Sequence, residues 1–308
     1  MTTDQQLTEP VELFNDEARR PLPAVDLDQY RRDGFAVMEN FLSQEELDVL
    51  RAETTRICRG ELGELVHKGG SGVDAGPEDM ADMDVVRQFL CIHFPHKLSA
   101  TMLGLISHPL AVASLVEIIG PDVKAMQSMM FVKSEGKPGQ AWHQDEYFIP
   151  TRDRSLTAIW MALDDATVNN GCLWVLPGSH QPGVIYPERV IDDDRFDCTT
   201  EAYRFPYRDE DSVPVEMAAG SAVVFNGYLL HRSMPNKAPG SLRRAVVNHY
   251  MSAQSLLPWR PPRDGEHMAM VDDRDVIIVA GTDPYAWKGF EQRHRAYVRP
   301  DREGGCER

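Results

Sequence analysis

Asn170-Gly171-Cys172-Leu173-Trp174-Val175-Leu176-Pro177-Gly178 reads as a turn, a short apolar strand and a second turn, because Asn-Gly and Pro-Gly supply the backbone angles that reverse a chain. The same texture repeats on both sides. Residues 125–133, 157–163, 213–218, 221–225 and 244–251 are runs of Val, Met, Phe and Trp at strand length, and Ala219-Gly220 and Asn226-Gly227 mark further reversals. Upstream the periodicity is helical. Ser43-Gln44-Glu45-Glu46 is a capping box, and Leu47, Leu50, Thr54 and Ile57 follow at helical spacing, so a helix is expected over 43–59. Two more are expected over 98–107 and from Pro109 to Gly120-Pro121, with proline at the start and glycine past the end. Helices first and strands later make the fold class α+β. The expected core is an antiparallel jelly roll (a double-stranded β-helix, cupin-like) over about residues 121–255, with helices packed on one face.

The chain has 308 residues, 42% hydrophobic and 26% charged, enough to bury a sizeable core without disulfides or a structural metal. Residues 1–24, polar and ending in Pro21 and Pro23, read as a flexible arm. Residues 25–308 read as a single domain: a helical layer over about 25–120, the jelly roll, and a C-terminal extension over 256–308. Lys+Arg 32 against Asp+Glu 48 leaves a net charge of −16, which repels phosphate backbones and anionic lipid, so no nucleic acid and no membrane partner is expected. One small anion remains compatible, since a local arginine outweighs a screened distant field. The cysteines (Cys58, Cys91, Cys172, Cys198 and Cys306) are scattered and odd in number, and Met1 to Arg20 lacks the pattern of a signal peptide, so a reducing, cytoplasmic setting is expected. Oligomeric state has no sequence signal. The glycine-rich, acidic stretch 61–84 and the acidic insertion 184–212 are each a lid or a solvated loop.

Chemistry concentrates in Trp142-His143-Gln144-Asp145. On an extended chain residues i and i+2 project to one side, so His143 and Asp145 can reach one metal while Trp142 and Gln144 face away. Two imidazoles and a carboxylate on one face of an ion form the facial triad of non-haem iron(II) oxygenases, and His231, after an apolar strand, is placed to supply the second imidazole. Arg243 heads the run over 244–251, which is expected to lie antiparallel beside the His231 strand. A guanidinium there could grip the distal carboxylate of 2-oxoglutarate through two parallel hydrogen bonds. His180 reads as a turn residue, and His93, His96 and His108 as surface or helix-end residues. Arg87 and Gln88, and Tyr203, Arg204 and Tyr207, are weaker candidates for reaching a substrate.

With those residues in hand, the chain resembles the phytanoyl-CoA dioxygenase-like family of iron(II) and 2-oxoglutarate-dependent oxygenases. The matching stretches are Trp142-His143-Gln144-Asp145, Trp160-Met161-Ala162-Leu163-Asp164-Asp165-Ala166, residues 170–180, His231-Arg232-Ser233 with Asn236, and Arg243-Arg244-Ala245. The resemblance covers about residues 25–255. It implies a jelly roll with His143, Asp145 and His231 as catalytic metal ligands. Arg243 would bind the co-substrate carboxylate, Ser233 and Trp160 would line its pocket, and Met130 or Gln127 would face the co-substrate or substrate. Asn169 stands where the family often has glutamate. The spacing from His231 to the arginine is a residue longer than usual, which leaves Arg243 and Arg244 as rivals that cannot share a strand face; Arg243 is preferred.

The implied cofactors are Fe(2+), with 2-oxoglutarate and O2 as co-substrates and ascorbate in support. The implied reaction hydroxylates a small organic molecule, such as a metabolite or natural-product intermediate, and releases succinate and CO2. Asp145 favours hydroxylation over halogenation, for which a small residue replaces the carboxylate. Desaturation, epoxidation, rearrangement or epimerisation at the same iron site, or a non-catalytic cupin-like metal-binding protein, are the alternatives, because function lives in the site and not in the fold.

Overall fold

The capping box at Ser43 closes in both directions. Ser43 Oγ accepts from the Glu46 N–H at 3.3 Å and Glu46 Oε2 accepts from the Ser43 N–H at 2.6 Å, opening a helix over Gln44–Cys58 that buries Leu47, Leu50 and Ile57. In this computed structural model residues 12–14, 25–67, 72–73, 78–197 and 200–299 are described. The other expected helices form over Ala100–Ile106 and Pro109–Ile119. The stretch Ala100–Ile119 is long and apolar enough to cross a membrane, with mean hydropathy 1.8. Here it is broken at Ser107-His108, and Met102, Leu105 and Leu115 pack into the core.

The fold is mixed α and β, built on two facing sheets. The larger runs in the order Phe35–Met38, Ala222–Asn226, Thr157–Ala162, Leu242–Ser252, Val123–Ser134, Cys91–His93, Tyr297–Arg299, Val66–His67, with Ile277–Ala280 also paired to Val123–Ser134. The smaller runs Val213–Val215, Leu173–Val175, His231–Ser233, Gln140–His143, all antiparallel. Alternation sorts the side chains. Met129, Phe131, Trp160, Val223, Phe225 and Val247 meet Leu173, Val175 and Val215 between the sheets. Their neighbours Met130, Val132, Ile159, Met161, Val224 and Val246 lie on the other face, in one core with Leu47, Leu50, Leu105 and Leu115 of the helices.

This geometry corrects several expectations. Met130 points into the helical layer, because it is an odd step from the inward residues of its strand, and Met129 takes the inward position. The strand bearing Arg243 pairs with Val123–Ser134 and Thr157–Ala162, so it belongs to the sheet opposite His231 and not to a strand beside it. Within the presumed arm, Phe14 is buried and packs edge-on against His108 at 5.5 Å; residues 1–11 and 15–24 lie outside the described residues. So do 68–71 and 74–77 of the glycine-rich stretch, and Cys198 and Cys306. The insertion over 184–212 forms a hairpin, Glu188–Val190 with Thr200–Ala202, and its Tyr186, Ala202, Phe205 and Tyr207 cover Trp142, Leu176 and Leu230. It backs the smaller sheet.

Candidate active site

His143 ends one strand and His231 begins its neighbour, and the two are directly paired across the small sheet. Gln144 keeps an extended backbone (φ −126°, ψ 129°) before a short helix over Asp145–Phe148, which returns Asp145 to the side of His143. Asp145 Oδ1 lies 3.8 Å from His143 Nε2 and 3.6 Å from His231 Nε2, and one ligand atom from each of the three residues falls within 4.8 Å of the others. Trp142 and Gln144 turn away: Trp142 Nε1 donates to Asp209 Oδ1 at 2.8 Å, and Gln144 Nε2 donates to Tyr228 O at 2.7 Å.

The donor set fits a metal ion. His143 Nδ1 is 2.8 Å from Ala141 O and His231 Nδ1 is 3.0 Å from Leu229 O, which fixes Nδ1 as the protonated nitrogen and leaves each Nε2 lone pair facing the shared point. Burial, with His231 beside it, pushes His143 down to about 3, so its imidazole is neutral, the form that coordinates. Burial alone would raise Asp145, but His231 and His249 carry it below the usual carboxylate range. His249 Nε2 lies 3.2 Å from Asp145 Oδ2, the oxygen not shared with the other imidazoles, and so holds the carboxylate in place.

Arg243 and Arg244 take opposite faces. Arg244 points outward and grips Asp164 through two bonds of 2.8 Å. Arg243 points inward, 3% exposed, with its guanidinium 5.3 Å from the centre of the Trp160 ring. Ser233, Trp160, Lys133 and Gln140 line the narrow cleft around it. Gln140, Trp160, Phe131 and Leu173 also wall the adjoining cavity of about 120 Å³ that holds the three ligands, so the two spaces share one wall. That cavity is further lined by Met129, Phe148, Ile149, Phe225 and Val247, with Gln127, His93 and Arg299 as polar members.

His249, Lys133, Met129 and Arg299 were not singled out from sequence, and His93 was read there as a surface or helix-end residue. Alternation held a signal for His249, which is an even step from Arg243, and for Lys133, an even step from Gln127. His93, His96 and His108 are all buried: His93 lines the cavity, His96 Nδ1 lies 2.6 Å from Ser128 Oγ, and His108 caps a helix. Arg87 and Gln88 bond to Asp84 and Met80 instead of reaching the site. Tyr203 and Arg204 stack on each other, and Tyr207 packs on Tyr186, away from the cavity.

An imidazole pair and one carboxylate, beside a cleft with an inward arginine, define a non-haem iron and 2-oxoglutarate-dependent oxygenase site. The chain belongs to the phytanoyl-CoA dioxygenase (PhyH) family, whose model matches residues 30–245. A phytanoyl-CoA dioxygenase domain-containing protein 1 homolog of Dictyostelium discoideum is 26% identical over 260 residues, covering 74% of this chain and 90% of that protein. Phytanoyl-CoA dioxygenase of Arabidopsis thaliana is 41% identical over 129 residues, 42% of this chain and 44% of that one. Among solved structures, apo ThoJ, a non-heme monooxygenase, matches with TM-score 0.62 at 20% identity over 90% of this chain and 88% of that one. EvdO2 complexed with 2-oxoglutarate matches with TM-score 0.56 at 24% identity over 78% and 95%. At such identities the structural likenesses establish the fold. The cofactors of the site are iron and 2-oxoglutarate.

Proposed function

We propose that the chain hydroxylates an unactivated C–H bond of a small organic metabolite or natural-product intermediate, consuming O2 and 2-oxoglutarate and releasing succinate and CO2. The observation that carries this reading is the Asp145 carboxylate, held by His249 within a full His-Asp-His set at an apolar-walled cavity. When bound, iron activates O2 against 2-oxoglutarate and supplies the oxidant. The chain does the rest: His143, Asp145 and His231 hold the metal on one side, Arg243 and Ser233 receive the distal carboxylate, and Phe148, Ile149, Phe225 and Val247 exclude water from the substrate space.

The same reading makes the core a double-stranded β-helix within a single domain. Successive strands over 123–134, 140–143, 157–162 and 173–175 alternate between the large and small sheets, and those over 213–215, 222–226, 231–233 and 242–252 return the same way. A cavity of about 120 Å³ with apolar walls suits a small organic molecule. Free, buried Cys58, Cys91 and Cys172 accord with a cytoplasmic setting.

A second reading keeps the iron and changes the outcome, because similar folds include SnoN, a non-heme alpha ketoglutarate dependent epimerase (TM-score 0.54, 20% identity), and the carbocyclase SnoK (TM-score 0.54, 20% identity). The deciding experiment supplies iron(II), ascorbate and 2-oxoglutarate, screens candidate substrates for stimulated succinate release, and weighs the product. A gain of one oxygen atom is expected. An unchanged mass transfers the assignment to epimerisation, loss of two hydrogens transfers it to desaturation or ring closure, and no succinate under any condition sinks the enzyme reading.

A further inference from the structure

We propose that Lys133 is a second cationic anchor of the co-substrate site and, through Ser233, a positioning residue that makes 2-oxoglutarate preferred over 2-oxo acids without a distal carboxylate. The inference rests on reading the Arg243 cleft as the 2-oxoglutarate site.

Lys133 and Arg243 are directly paired across two antiparallel strands, both 3% exposed and both facing the cleft. Two buried cations side by side repel each other and forfeit hydration, so they persist where an anion compensates them. The protein supplies too little: among the described residues the Arg243 side chain has no hydrogen bond or ion pair, and Asp197, the one carboxylate lining the cleft, is already bonded to Arg299, so a single negative charge faces three buried cations. Burial, with Arg243 beside it, lowers the Lys133 pKa, as expected for a site whose balancing charge arrives with a ligand.

Hydrogen-bond capacity points the same way. Lys133 Nζ donates to Ser233 Oγ at 2.9 Å and to Met234 O at 2.9 Å, and the Gln140 N–H donates to the same Ser233 Oγ at 3.2 Å. Both lone pairs of the hydroxyl are therefore taken, and its O–H can only donate. A committed hydroxyl donor, a third ammonium proton and a guanidinium fork converge on one cleft with no acceptor of their own. A carboxylate offers two oxygens and about four acceptor sites, the complement of that set. Arg243 grips it, Lys133 adds a point charge, and Ser233, held by Lys133, adds the neutral bond.

The test is an anaerobic optical titration of the iron(II)-loaded protein with 2-oxoglutarate and, separately, with 2-oxopentanoate, which has the same keto-acid end and no distal carboxylate. Lys133→Met is expected to weaken 2-oxoglutarate by about tenfold or more while leaving 2-oxopentanoate and iron affinity unchanged, and Lys133→Arg to restore most of the preference. If Lys133→Met weakens both ligands equally or neither, Lys133 is a packing residue and the proposal fails. Arg243→Met covers the case in which Lys133→Met does not fold. That variant should retain a several-fold preference for the dicarboxylate through Lys133 and Ser233, whereas a preference reduced to unity overturns the role of Lys133. An undiminished preference in Arg243→Met would instead remove the cleft as the 2-oxoglutarate site.

Discussion

Arg243 and Arg244 are adjacent, equally basic and both mostly buried, yet one belongs to the cleft and the other to the outer face of the sheet. A strand turns successive side chains by half a revolution, so the backbone alone makes one a cleft-facing group and the other a structural ion pair. Arg244 donates from Nε and Nη2 to the two oxygens of Asp164 at 2.8 Å each, and Asp164 also accepts from the Arg244 N–H at 2.9 Å. Arg244→Ala is therefore expected to destabilise the fold by about 1.5–3 kcal/mol, the range for losing hydrogen bonds to a charged group, while leaving the anaerobic affinity for 2-oxoglutarate unchanged. Denaturant melts and the same optical titration check both halves; a weakened co-substrate with intact stability would exchange the two arginines. The triad was legible at this scale because His143 and Asp145 are two apart on an extended segment, a spacing that carries its own geometry. His249 was less so. Its contact with Asp145 spans 104 positions and joins a strand of the large sheet to the short helix that follows a strand of the small one, and no local pattern announces that meeting.

Strand parity decides function at the scale of the element. Gln127, Met129, Phe131 and Lys133 share the inward face of Val123–Ser134, and Met130 and Val132 share the other. Gln127 and Met130 are an odd step apart, so naming both as pocket candidates placed at least one of them wrongly. The apolar composition of the run hid the error: the strand is covered by helices on one face and by the small sheet on the other, so no polar alternation labels its sides. Its existence and extent were legible, as were those of its neighbours, because length and bounding turns suffice for that. Parity then separates two adjacent methionines by experiment. Met130→Ala should cost about 2–5 kcal/mol of stability by opening a hole under the helices, with the Michaelis constants for 2-oxoglutarate and substrate unmoved. Met129→Ala should raise those constants with a smaller stability loss, since its side chain borders space that ligand fills. Chemical denaturation and steady-state kinetics of the pair distinguish the faces, and equal kinetic effects would refute the assignment.

The chain as a whole closes its site with segments far apart in sequence. Tyr297–Arg299, from the C-terminal extension, pairs with Cys91–His93 from the helical half, Tyr297 stacks on His93 at 4.5 Å, and both His93 and Arg299 line the cavity. The extension carries no motif, and its role was not legible because a three-residue strand has no periodicity and takes its meaning from the partner it meets. Arg299 also joins the acidic insertion to the core through Asp197, a pair in which both residues are 3% exposed. Asp197 is fixed there because its N–H donates to Gly139 O at 2.9 Å, just ahead of the strand that ends in His143. Removing one member of a buried pair leaves the other charge without compensation, at a cost of about 3–5 kcal/mol, whereas removing both spares that penalty. Arg299→Met should therefore lower the urea midpoint strongly at constant m-value, and Asp197→Asn combined with Arg299→Met should recover part of the loss, a coupling read directly from the double-mutant cycle. The substrate Michaelis constant should rise in the double variant, because Arg299 lines the cavity wall. A double variant no more stable than Arg299→Met would mean that Arg299 acts through packing on Phe131, whose ring centre lies 5.7 Å from the guanidinium carbon, and not through Asp197.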